Sequence, residues 1–148
     1  MIKKILLPFL LLFLCISCDL TELNEESFED KNLSGQIRGV DFTFVSGLAE
    51  TYSNSEWIII LSGDSSYPYL TFFIEKSSIP RNYTISTFGS DGLMLTGKIN
   101  FSDGTFYDRG EIEITEIDTT DNIIKGKIWG NTNEENSYIS GNFSVVIQ

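Results

Sequence analysis

Two cysteines, no histidine and 21 carboxylates set the chemistry open to this 148-residue chain. Cys15 and Cys18 lie close together near its start, and no cysteine follows them. Beyond them the chain has no internal disulfide, no thiolate metal site and no cysteine nucleophile. Without histidine it lacks the commonest general base and zinc ligand, and no Ser-His-Asp triad can form. Glu111 and Glu113 are spaced to share one face of a strand, as a glycosidase pair would. Such a pair needs an acid buried enough to raise its pKa, and alternation with Ile112 and Ile114 turns both glutamates toward solvent. Asp118, Asp121 and Asn122 cluster in one segment, and Asp103 and Asp108 flank another. Oxygen-rich loops can hold calcium, yet neither has EF-hand spacing, and Asp and Asn are ordinary turn residues. No G-x-S-x-G, P-loop or G-x-G-x-x-G occurs. The expectation is a non-enzymatic chain with no cofactor and no metal.

Aromatic residues offer a second kind of chemistry. Parity with Ile124 and Ile128 turns Trp129 outward, and Tyr52, Tyr67 and Tyr107 fall in expected loops. Exposed Trp and Tyr beside acidic and Asn side chains suit recognition of a sugar or a protein. These four are the candidate ligand-binding residues. The competing reading has Trp129 covering one end of the fold or packing under the loop 131–136.

Cys18 carries the one specific modification signal. Lys3 and Lys4 precede an apolar run from Ile5 to Ile16, the layout of an export signal. About a dozen apolar residues fall short of the roughly 20 that a spanning helix needs. Cys15-Ile16-Ser17-Cys18 resembles a lipobox, with small Ser17 at the cleavage position; Cys15 stands where that pattern usually has Leu. Resemblance to bacterial lipoproteins implies cleavage before Cys18, a diacylated thioether and an acylated amine. Two or more chains would anchor the protein stably.

Past Cys18 the remaining eight cations and 21 carboxylates balance to −13. That surface repels nucleic acid and anionic lipid headgroups. The segment 18–34 is expected to be an acidic tether, extended by self-repulsion. From Gly35 onward, runs of Ile, Val, Thr, Phe and Tyr alternate with Gly, Asn, Asp and Ser at the spacing of sandwiches and barrels.

Eight strands are predicted. Gln36–Ser46 points Val40, Phe42 and Phe44 one way. Glu56–Ser62 is apolar on both faces and so belongs in the centre. Tyr69–Glu75 points Leu70, Phe72 and Ile74 inward, and short Asn82–Ser86 follows. Leu93–Phe101 puts Leu93, Leu95, Ile99 and Phe101 together. Gly110–Asp118 changes parity at Ile117, which a bulge near Thr115–Glu116 would restore. Ile123–Trp129 and Ser137–Ile147 complete the set, with Gly47–Ser55 left as a loop. The fold class is all-β, a single antiparallel sandwich or flattened barrel over 35–148. It follows a signal helix within 1–17 and the lipidated tether 18–34.

In the C-terminal half stand Gly110–Asp118, the Ile124-Lys-Gly-Lys-Ile-Trp-Gly130 strand and the Ile139-Ser-Gly-Asn-Phe-Ser-Val-Val-Ile147 strand. Together these resemble small Bacteroidota-type lipoproteins of unknown function. Asn82-Tyr83-Thr84 and Gly39-Val40-Asp41-Phe42 are similar to that family's earlier strands. Ile128 stands in place of the family's usual aromatic. The resemblance implies an outer-membrane or surface location, although Asp19 would signal inner-membrane retention under enterobacterial rules; it supplies no site residues. The expected role is a membrane-anchored binding domain for a glycan or an envelope protein. The alternatives are a structural part of the envelope and, least favoured, a carboxylate-dependent hydrolase.

Overall fold

The computed structural model describes residues 27–77, 80–86, 93–132 and 136–148. Cys18 and the expected signal helix lie outside them. Within them every regular element is a strand. Eleven strands form one curled sheet: β1 (Ser34–Ile37), β2 (Val40–Thr43), β3 (Ser46–Thr51), β4 (Glu56–Ser62), β5 (Tyr69–Glu75), β6 (Arg81–Thr84), β7 (Leu95–Lys98), β8 (Gly104–Tyr107), β9 (Arg109–Asp118), β10 (Ile123–Thr132) and β11 (Ser137–Ile147). The spatial order is β6-β9-β10-β11-β3-β4-β5-β7-β8, with β1 beside β11 and β2 beside β1. All pairings are antiparallel except β11 with β3.

The difference from eight strands has local causes. Arg38 and Gly39 have positive φ (51° and 75°) and fold the expected first strand into the β1–β2 hairpin. The same turn leaves Val40 41% exposed, while Phe42 stays in the core. Gly47–Ser55, expected as a loop, contributes β3, which pairs β4 over six residues. The expected strand ending at Phe101 stops at Lys98, and the turn that follows leaves Phe101 92% exposed. Thr105 to Tyr107, expected between strands, belong to β8.

Alternation builds the core from the concave side. Trp57, Ile59 and Leu61 of β4, Leu70, Phe72 and Ile74 of β5, and Ile112 and Ile114 of β9 are all buried there. Phe72 meets Phe143 edge-on across the interior, ring centroids 5.8 Å apart, which ties β5 to β11. Gly126 makes room for that ring: a Cβ there would come within 2.6 Å of Phe143 Cζ and 2.5 Å of the Glu113 carbonyl oxygen. The bulge expected near Thr115–Glu116 is present. Lys125 pairs Glu116 and Gly126 pairs Ile114, so Thr115 is skipped and Ile117 packs against the core.

Residues 27–33, expected as tether, form a strap on β11. The Leu33 amide donates to the Asn142 carbonyl (3.0 Å), and the Asn142 amide to the Lys31 carbonyl (2.7 Å). The Asn142 side-chain amide donates to Asp30 (2.9 Å). The Glu29 amide donates to the Ser140 hydroxyl (3.0 Å), which donates to the Ser27 carbonyl (2.9 Å). Leu33 is completely buried. Gly141, at φ 137°, permits the approach, since a Cβ there would lie 2.6 Å from Leu33 Cα. The edge of β11 is thus covered in turn by β1, the strap and β3. Packing therefore begins before Gly35, because buried Leu33 outweighs the acidic residues around it.

Candidate functional site

All eleven strands lie in one sheet, so among the described residues no second layer of strands lies over its convex side. On β4 those residues are Glu56, Ile58, Ile60 and Ser62, all half-buried. β4 stands inside the strand order, as its apolar run predicts. Register extends the apolar character sideways. One row crosses six strands: Val146 pairs Leu48, Leu48 pairs Ile60, Ile60 pairs Thr71, Thr71 pairs Thr96, and Thr96 pairs Phe106. The next row runs Glu50, Ile58, Phe73. Val146 is 53% and Phe106 44% exposed.

At 4.8 Å per strand and 3.3 Å per residue, the patch from β11 to β5 and from Tyr69 to Glu75 measures about 15 by 20 Å. Within that footprint Leu48, Ile58, Ile60 and Phe73 form a half-buried apolar centre, and Glu50, Glu56, Ser62, Thr71 and Glu75 fill much of the rest.

Two of the four candidate aromatics border this patch. Tyr52, 63% exposed, sits edge-on against Phe73 with ring centroids 4.7 Å apart. The corner holding it is built by the turn between β3 and β4. The Tyr52 and Ser53 amides donate to the Glu56 carbonyl (3.1 and 3.2 Å). Lys76 spends its ammonium on Thr51 Oγ1 (3.1 Å) and the Ser53 carbonyl (2.8 Å). Tyr67 lies 5.3 Å from Tyr69, ring to ring, at the opposite end of the patch.

The other two candidates lie elsewhere. Trp129 is half-buried on the convex side of β10, opposite Glu111 and Ser140, so the strap held by Ser140 passes one strand away. Tyr107 is not in a loop. It ends β8 with no exposed surface, and its hydroxyl donates to the Gln36 carbonyl at 3.3 Å. Burial pushes its phenol well above the ordinary range. Tyr107 is a core residue and presents nothing to a ligand.

The carboxylates are largely committed within the fold. Glu111 and Glu113 stand on the convex face of β9, opposite Trp129 and Lys127. Glu116 holds Lys125 at 2.9 Å. Asp103 pairs with Arg38. Asp118 accepts from the Thr120 and Asp121 amides (2.8 and 3.0 Å), and those bonds hold its carboxyl below the usual range. Among the described residues no group of three Asp, Glu, His or Cys converges as a metal site would require. The cluster Leu48, Ile58, Ile60, Phe73, drawn from two adjacent rows, was missed as a candidate site in the sequence, although a five-residue apolar run from Trp57 to Leu61 signals it. No protein family, curated protein or solved structure matches this chain.

Proposed function

We propose that this chain is a lipid-anchored, non-enzymatic extracytoplasmic binding domain of a small bacterial lipoprotein. It is attached through Cys18 to the outer membrane or cell surface. The binding half rests on one observation, the apolar and tyrosine-edged convex face of β3, β4 and β5. Among the described residues no strand covers Ile58, Ile60 and Phe73, which favours a binding face over a purely structural part. The anchor half rests on the n-region, apolar run and Ser17-Cys18 sequence, and the outer-membrane choice on the family resemblance. The finer fold reading is a flattened barrel. Its support is the isolated bridge Ile85↔Leu93, which joins the chain after β6 to the chain before β7 and brings the sheet round on itself.

Metabolic labelling with palmitate tests the anchor. Wild type takes up label and partitions with membranes; Cys18→Ser takes up none and is released. Label retained in the variant removes the anchor reading.

A further inference from the structure

The convex face has a chemical polarity along its strands. Its centre is aliphatic and aromatic: Leu48, Ile58, Ile60 and Phe73. One edge is acidic. Glu56 and Glu75 are directly opposed across β4 and β5, and Glu50 stands on the same face of β3, paired with Ile58. Like charges directly opposed across strands are destabilising. Arg81 relieves Glu75. Among the described residues Glu50 and Glu56 have no ion-pair partner, and the nearby Lys76 ammonium is bonded to Thr51 and Ser53. The edge therefore gathers three carboxylates against the two cations of Lys76 and Arg81, beside half-buried apolar surface.

Four kinds of occupant fit this face unequally. The balance of −13 past Cys18 opposes close approach of a second copy and of anionic lipid. A glycan needs hydrogen-bonding groups at the centre of its site, and the Leu48, Ile58 and Ile60 side chains offer none. Protein side chains match an apolar centre with a charged margin, the common anatomy of a protein interface. A standard interface buries about 800 Å² per partner, so the patch would form its core and the acids and tyrosines its margin.

We infer that the convex face of β3, β4 and β5 docks a protein whose contact surface is apolar at its centre and basic along the edge that meets Glu50, Glu56 and Glu75. This rests on the binding reading above and names the partner's chemistry.

The test places a photo-crosslinking residue at Ile60 in the full-length chain in its own cells. Trp129 and Thr115 are labelled in parallel. The expected result is an adduct with a different protein at Ile60 and none at Thr115, the sequenced contact peptide carrying Lys or Arg beside apolar residues. Glu50→Gln with Glu56→Gln lowers its yield about tenfold, while the unfolding midpoint of the purified double variant does not fall below the wild-type value. Four results overturn the inference: an adduct with a second copy, an adduct only with lipid or glycan, an acidic contact peptide, or a yield indifferent to the double substitution. Adducts at Trp129 but none at Ile60 sink this face and leave the binding reading standing; no adducts at either position sink both.

Discussion

Gly141→Ala measures how firmly the strap belongs to the fold. The new methyl group meets backbone on three sides: Leu33 Cα at 2.6 Å, Leu33 N at 2.7 Å and Asn32 C at 2.8 Å. No side chain can swing away to relieve it. The residue also sits at φ 137°, where an L side chain is strained by about 1–3 kcal/mol. If the strap moves off instead, Leu33 leaves a fully buried position, which costs about 1.5–3 kcal/mol. The Leu33–Asn142 and Asn142–Lys31 bonds go with it, at about 1 kcal/mol each. The first route costs about 1–3 kcal/mol from strain alone, and strap release about 3.5–5 kcal/mol. Urea denaturation reads the loss, and hydrogen exchange chooses the route. Strap release exposes the Leu33 and Asn142 amides and lowers the m-value, because the native state then buries less surface. A variant within about 0.5 kcal/mol of wild type, with both amides still protected, would refute the argument; surface changes of that size need no buried strap.

Tyr107 separates core from site. Tyr107→Phe loses one long hydrogen bond and costs about 1 kcal/mol or less, while Tyr107→Ala costs about 3–5 kcal/mol; equal, small effects in thermal unfolding would return Tyr107 to the surface. Asp118 gives a pH signature. Its folded-state pKa is depressed, so its contribution is present above the unfolded pKa of about 3.9 and fades as pH falls through the lower folded value. The stability gap between wild type and Asp118→Ala therefore closes with acid, and a gap that widens below pH 4 contradicts the hydrogen-bond assignment.

Strand patterning was legible where one face is wet. β4 runs from Glu56 to Ser62, as its apolar run and flanking turns predict, and β5 from Tyr69 to Glu75, as alternation predicts. The bulge at Thr115 followed from the parity change at Ile117. Turns that reverse the chain without a strong Asn-Gly signal were not legible. Arg38 supplies a positive φ at no cost visible in the pattern, so two strands read as one. The strap was hidden because burial of the single residue Leu33 decides it, while composition reports the six acids between Asp19 and Asp30. The site was half legible. Tyr52 and Tyr67 stand out as isolated aromatics, but the patch they border exists only once register aligns Leu48, Ile60 and Thr71. Tyr107 failed as a candidate because β8 curls back toward β10, where the Asp108 amide donates to the Asn131 carbonyl, and that closure draws the phenol inward.

The strap also fixes where the chain leaves the body. Eight residues lie between Cys18 and Ser27, a reach of at most about 30 Å at full extension. Ser27 meets β11 at Ser140. With Cys18 as the proposed anchor, the membrane lies within that reach of the β11 flank, while the face centred on β4 stands two strands further round the curl.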